Sequence, residues 1–448
     1  MWSGNKFILL LIFLNVSIDI IAQIQFPSAH NPIIINQNIG LPTTPALNVL
    51  KEVEQQRKQN QNQQNERLIK KSQQEENQHK ERLREIYTEL NETEPNIDYN
   101  LPDLSNLKGT EYYRAVYDKM TNLNIEDYSV KDVNFEIENA YFEEKLNKEE
   151  FDKTIKQIGE FLRAKMKESN YDLRSNTAKN FILFEFFTQT LEVNGFKEKH
   201  FPIKYDFDDY MGNNAWPKMF VTKLLKTGSG QCHSMPLLYL ILAEEIRAEA
   251  YLALSPNHSY IKFQDEKGKW YNLELTNGMF TVPSFILNSG FIKAEAIQNH
   301  IYMENLSKKQ LLSNFYNDLA EGYIHKYGYD QFVEKVINKA LELFPNNINT
   351  NVLLFNYYIV RFENAAKNLG INPENNQELQ KIRYYPDVAK WLADIDNQNQ
   401  KNIDLGYQSM PDEEYEKWLN SLQETKNKQE SETLKKQFKG IILKKAKD

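Results

Sequence analysis

The chain has 448 residues, a formal charge of −8 at neutral pH and 41% hydrophobic residues. That length exceeds a single core and predicts two or more domains, while the acidic balance gives no reason to expect a nucleic-acid partner. With one cysteine, no internal disulfide can form.

Lys6 followed by FILLLIFLNVSIDIIAQ has the layout of a secretory signal: one positive charge, an apolar core of about ten residues, and Ala22 as the last residue before cleavage. A membrane anchor is the competing reading, but Asn15, Ser17 and Asp19 break the run short of the ~20 apolar residues a span needs. Residues 1–22 are therefore expected to be removed. The rest should be exported, periplasmic or extracellular, with no integral membrane span. No cysteine sits at the cut, which argues against a bacterial lipoprotein. An exported free thiol is open to oxidation unless it is buried or used, which draws attention to Cys232.

Residues 23–104 form a low-complexity linker. Residues 24–50 are rich in Asn, Pro and Ile without a period, and residues 52–81 are a Gln, Asn, Lys and Glu tract that cannot bury enough surface to offset chain entropy. A flexible tether or a lone solvated helix is expected there. Residues 105–200 turn aromatic and helical in period: YYRAVYDKM, ENAYFEEKL, EEFDKTIKQIGEFLRAKM and KNFILFEFFTQTLEV place apolar residues three and four apart. This predicts a helical subdomain whose aromatics are core. The less regular residues 201–216, with Tyr205 and Tyr210, form a candidate cleft wall. Adjacent Asp208 and Asp209 point to opposite faces of an extended chain and read as surface charges.

Residues 223–277 are where chemistry concentrates. Cys232 follows a Gly228-Ser229-Gly230 turn and precedes the apolar run 237–246, a buried helix with Pro236 in its first turn. Helix N–H groups and dipole there favour thiolate. YLALS, HSYIKFQ and KWYNLELT read as strands, the last two joined by a turn at residues 265–268. Ile261, Phe263, Leu273 and Leu275 take one face and His258, Tyr260, Asn272 and Glu274 the other, with Tyr260 opposite Glu274 and His258 its diagonal neighbour. A cysteine at a helix start, a histidine on the next strands and an acid after it is the arrangement that activates a thiol for acyl transfer.

On these residues the stretch resembles the transglutaminase-like superfamily. TGSGQC is similar to that family's G-x-C nucleophile turn, PNHSYI to its histidine strand, and WYNLELT to its W-x-x-x-D-x-T acid strand. Glu274 stands where the family usually carries Asp, one methylene longer. The resemblance implies a fold of α+β class: a papain-like transglutaminase core at residues 201–300, a buried helix carrying Cys232 and then antiparallel strands, embedded between mainly helical regions. It also implies acyl transfer or amide hydrolysis on a protein or peptide substrate by Cys232, His258 and Glu274.

Plainer roles stand beside these. Taken alone, Cys232 reads as a small buried hydrophobe, His258 as a solvent-facing strand residue and Glu274 as an exposed carboxylate; the glycine turn before the cysteine and the order of the three favour the nucleophile. Gln231 is a candidate oxyanion donor or a polar turn residue. His233 beside Cys232 invites zinc, but C-x-x-C and H-x-x-x-H pairs are absent, and no phosphate loop or G-x-S-x-G elbow occurs. No metal and no cofactor are expected.

Residues 301–370 read as helices joined by a turn at residues 326–330. LAEGY at 319–323, followed by Ala340 and Pro345, resembles a tetratricopeptide unit, although Phe332 lies near a position usually given to Ala. At most one and a half repeats are visible, so these helices read as an appendage packed on the core. Residues 371–448 form a charged helical region: a helix around residues 388–395 interrupted by Pro386, then EEYEKWLNSLQETKNKQESETLKKQF as a solvated helix, then the basic KGIILKKAKD as a frayed terminus. The function expected is that of an exported thiol hydrolase. The alternative is a non-catalytic binding or scaffold protein that uses its helices to hold a partner.

Overall fold

A computed structural model describes residues 45–93, 99–421, 431–436 and 439 of the chain. The signal-like segment 1–22 and most of KGIILKKAKD lie outside the described residues. The chain divides into two units between Ile86 and Tyr87. Helix α1, Pro45–Thr93, crosses that division, and its side chains are exposed throughout residues 59–82. Of the two forms expected for the Gln-rich tract it takes the helix, since Gln, Glu, Lys and Arg propagate helix without needing an apolar stripe.

From Tyr87 onward the chain is α+β and mainly helical. Helices α2 (Thr110–Thr121), α3 (Val130–Tyr141), α4 (Lys148–Glu168) and α5 (Asn176–Thr188) answer to the aromatic periodicity. Ser129, Asn147 and Ser175 cap α3, α4 and α5 by accepting from the third N–H of each, interactions that contribute about 1 kcal/mol apiece. The run ENAYFEEKL is not one helix. It stops at Tyr141, and Glu143 and Glu144 turn back in left-handed conformation (φ 56° and 57°), where the Asn139 carboxamide accepts from Leu146 N–H at 3.0 Å.

After β1 (Lys204–Tyr205), a 3₁₀ turn at Trp216–Met219, α6 (Val221–Thr227) and β2 (Ser229–Gly230), the chain enters α7, Ser234–Ile246. Helix α7 is buried at every residue but Glu244 and Glu245. It packs against α3, α4, α5, α6, β3 and β4, which is why its apolar residues run round all faces. The strands β3 (Tyr251–Ser255), β4 (His258–Gln264), β5 (Trp270–Glu274) and β6 (Met279–Thr281) form an antiparallel meander in chain order. Ile261 pairs with Leu273 and Lys262 with Asn272, so the register carried one step on sets Tyr260 opposite Glu274, as the turn at 265–268 predicts. β6 and the parallel β1–β2 pair have too few residues to leave a period-two signal.

Short helices α8 (Pro283–Leu287) and α9 (Ala294–Gln298) lead to α10 (Lys308–Tyr327) and α11 (Gln331–Leu343), the expected pair. Ser307 and Gln310 close a capping box on α10. Asp330 caps α11 and also receives Arg114 and the Tyr323 hydroxyl. Then come α12 (Ile348–Asn368), α13 (Asn376–Leu379), a 3₁₀ turn at Gln380–Tyr384, α14 (Pro386–Asp404) packed on α12, and α15 (Asp412–Ser421). Helix α15 is not simply solvated. Its charges face water, but Tyr415 and Trp418, three residues apart, are buried. No helix among the described residues is long and apolar enough to cross a membrane.

Candidate active site

Three local devices bring Cys232 into place. The αL cap at Gly228 (φ 67°) ends α6. The parallel bridge that follows holds the turn: Lys204 N–H donates to Gly228 O at 3.0 Å and Asp206 N–H to Gly230 O at 2.8 Å. Gly230 is tightly enclosed: a Cβ there would lie 2.5 Å from the Leu224 side chain and 2.8 Å from Ser234 Oγ, so both would have to shift. Cys232 therefore sits in the turn just ahead of α7, whose first helical bond runs from Met235 N–H to Gln231 O.

His258 opens β4 behind a two-residue turn, Pro256-Asn257, in which Asn257 is left-handed (φ 55°) and Ser255 pairs with His258. Glu274 closes β5. The ring nitrogen Nε2 of His258 meets Glu274 Oε2 at 2.6 Å, and Glu274 Oε1 accepts from Thr276 N–H at 2.9 Å. The other ring nitrogen, Nδ1, lies 3.1 Å from the Tyr415 hydroxyl, which donates to Cys232 Sγ at 3.3 Å. Cys232, His258 and Glu274 are thus brought together. They are also buried: Cys232 is 7% exposed and the His258 side chain 0%.

Burial opposes the thiolate, but hydrogen bonding and charge from His258, then the Tyr415 hydroxyl, then the charge of His233 outweigh it, and the Cys232 pKa is lowered. Burial likewise opposes a charged His258, yet the Glu274 carboxylate and then Cys232 raise its pKa well above the ordinary imidazole value. The pair consequently favours thiolate and imidazolium, with Glu274 as the fixed counter-charge. Such an arrangement can attack a carbonyl and protonate a leaving group.

Gln231 is fully buried. Its amide nitrogen donates to Asp209 O at 3.3 Å, and Oε1 has no hydrogen-bond partner. Its side-chain donor is thus directed at the residue 209 carbonyl. His233 holds no metal-like cluster: Nδ1 meets Met219 O at 3.1 Å and Nε2 meets Asp318 at 3.0 Å. Among the described residues no group of three or more His, Cys, Asp or Glu is placed to hold a metal ion. The passage 201–216 does wall the site, with Tyr205, Tyr210 and Met211 packing on the cluster that contains Cys232.

Two contributors, Asp318 and Tyr415, were not predicted, and Tyr205 was expected only as cleft wall. Asp318, on α10, is remote in sequence and raises His233 to about 9 against the effect of burial. The buried hydroxyl of Tyr205 lies in the field of Cys232 and Tyr415. Tyr415 comes from the charged C-terminal region, where only its three-residue spacing from Trp418 hints at a buried stripe.

The Asp318 contact yields a direct expectation. Because the folded pKa of His233 exceeds its unfolded value of ~6.5, the His233–Asp318 pair stabilises the fold fully below that value and is lost as pH rises through about 9. Asp318→Asn should bring the His233 titration, followed by NMR, down toward the ordinary range. The Cys232 thiolate should then form at higher pH. An unchanged His233 titration would contradict the pairing.

No family model matches the chain, and no curated protein matches it. A solved structure that aligns with it is menin, in the crystal structure that revealed its binding site for the Mixed Lineage Leukemia (MLL) protein. The two are 11% identical, and the alignment spans 73% of this chain and 90% of that one at a TM-score of 0.28, a likeness too low to support any inference about fold or function.

Proposed function

We propose that the chain is an exported thiol-dependent acyl-transfer enzyme with a papain-like, transglutaminase-like core, acting on amide bonds of proteins or peptides. One observation carries the reading: the His258 ring is held by Glu274 at 2.6 Å on one side while its other nitrogen faces the Cys232 sulfur and the hydroxyl bonded to it. The Cys232 thiolate attacks the amide carbonyl carbon. His258 gives its Nδ1 proton to the departing amine as the C–N bond breaks, leaving a thioester on Cys232. Water then attacks the thioester, His258 takes its proton, and the acid product and free thiolate separate. A lysine amine in place of that water would give crosslinking. Hydrolysis is the favoured outcome because it requires no second binding site. Glu274 holds the ring orientation and balances its charge throughout.

The reading requires a thiolate at neutral pH. The ultraviolet absorbance of the thiolate, titrated in the intact protein against Cys232→Ala, should appear with a midpoint below the ~8.5 of an ordinary cysteine. A midpoint at or above that value overturns the enzyme. It would leave the second reading, a binding or scaffold protein on the same core, which the burial of Cys232 favours.

A further inference from the structure

The sulfur that should attack a substrate is already covered by the chain's own C-terminal segment. An acyl carbon must come within about 3–3.5 Å of a nucleophile to react, and the Tyr415 oxygen stands 3.3 Å from Cys232 Sγ and 3.1 Å from His258 Nδ1. The position between thiol and imidazole is therefore filled. Trp418 closes the other side: its ring packs edge-on against His258 at 5.0 Å and stacks with Phe285 at 5.4 Å. Tyr210 lies against Tyr415 at 5.6 Å.

The segment is attached in a way that permits removal. His258 and Glu274 are held by β4 and β5, and Cys232 by the turn between the β1–β2 bridge and α7, all of them elements outside the segment. Helix α15 has ten residues, below the ~12–15 at which a helix persists alone. Its outward residues Asp412, Glu413, Glu416 and Lys417 are exposed. Besides the buried side chains of Met410, Tyr415 and Trp418, two backbone contacts hold the strap that leads to it. Asn257 Nδ2 donates to Met410 O at 2.9 Å. Gly406, at φ 92°, lies so close to α9 that a Cβ would sit 2.2 Å from Ala296 N.

Resting on the reading of Cys232 as nucleophile, we propose that residues 406–421 are an autoinhibitory strap, with Tyr415 and Trp418 occupying the substrate's place until the strap lifts. Gly406 is the lever. It is outside the site, and any side chain there both strains the backbone and collides with Ala296.

The test uses the full-length chain and iodoacetamide. Wild-type Cys232 should alkylate slowly. Gly406→Ala should speed alkylation roughly tenfold or more, because the rate follows the fraction of open molecules. Hydrogen exchange should rise over 406–421 and not in the β3–β6 sheet, and a synthetic 407–421 peptide added in trans should slow labelling again. Trp418→Ala, which leaves the backbone intact, decides the matter if Gly406→Ala loses its circular dichroism signal. Fast labelling of the wild type, or unchanged labelling in both variants, overturns the strap. Accelerated labelling with an ordinary thiol midpoint leaves the strap standing and overturns the nucleophile instead, so the two failures are distinct.

Discussion

Cys232→Ala, made in a Gly406→Ala background so that the site is open, is expected to abolish peptide acyl transfer, a loss of roughly 10⁴-fold or more. Glu274→Gln should lose less, roughly a hundredfold or more, with a different signature. The His258 side chain is fully buried and Glu274 is the carboxylate bonded to it. A neutral amide can still accept a hydrogen bond but cannot balance imidazolium, and an uncompensated buried charge costs several kcal/mol. The thiolate–imidazolium pair should therefore revert to thiol and neutral imidazole, and the thiolate absorbance midpoint should rise. Equal unfolding in both variants, seen as the same drop in denaturation midpoint with no rise in the thiolate midpoint, would assign these residues to structure.

Glu138→Ala is expected to destabilise the fold by about 3 kcal/mol, measured by urea denaturation, because it orphans several buried donors at once. Glu138, on α3, is 3% exposed. Its carboxyl accepts from Val221 N–H at 2.7 Å, Thr222 N–H at 2.9 Å and Asn134 Nδ2 at 2.8 Å. Two of these are leading N–H groups of α6, the helix that delivers the chain to the turn before Cys232. A stability change below ~0.5 kcal/mol would show that water replaces the carboxylate there. A loss of thiolate together with stability would show that α6 positions the sulfur.

These residues mark where sequence reasoning reaches and where it stops. The β4–β5 hairpin was legible because its information is local: alternating residues from His258 to Gln264 and from Trp270 to Glu274, with a turn whose length sets the register. Facing parity then follows, and with it the meeting of His258 and Glu274. The α10–α11 pair was legible from the turn at residues 326–330 and the small residues of LAEGY and Ala340, while the cap that Asp330 makes on α11 was seen only in the structure. Helix ends were less so. Whether α3 continues past Tyr141 depends on a left-handed pair, Glu143 and Glu144, whose residue type carries little turn signal.

By itself the sequence indicated the buried helix behind Cys232 and the candidate trio, since each rests on patterns a few residues long, and the α+β class came with the resemblance those motifs carry. Only the tertiary structure decided the surroundings. Asp318 charging His233, Glu138 capping α6, and Tyr415 standing between sulfur and imidazole are contacts across 83 to 183 residues of chain. No local period encodes such partners. They exist because buried polar groups must find their partners within the protein, and which partners those are depends on how the helices close over α7.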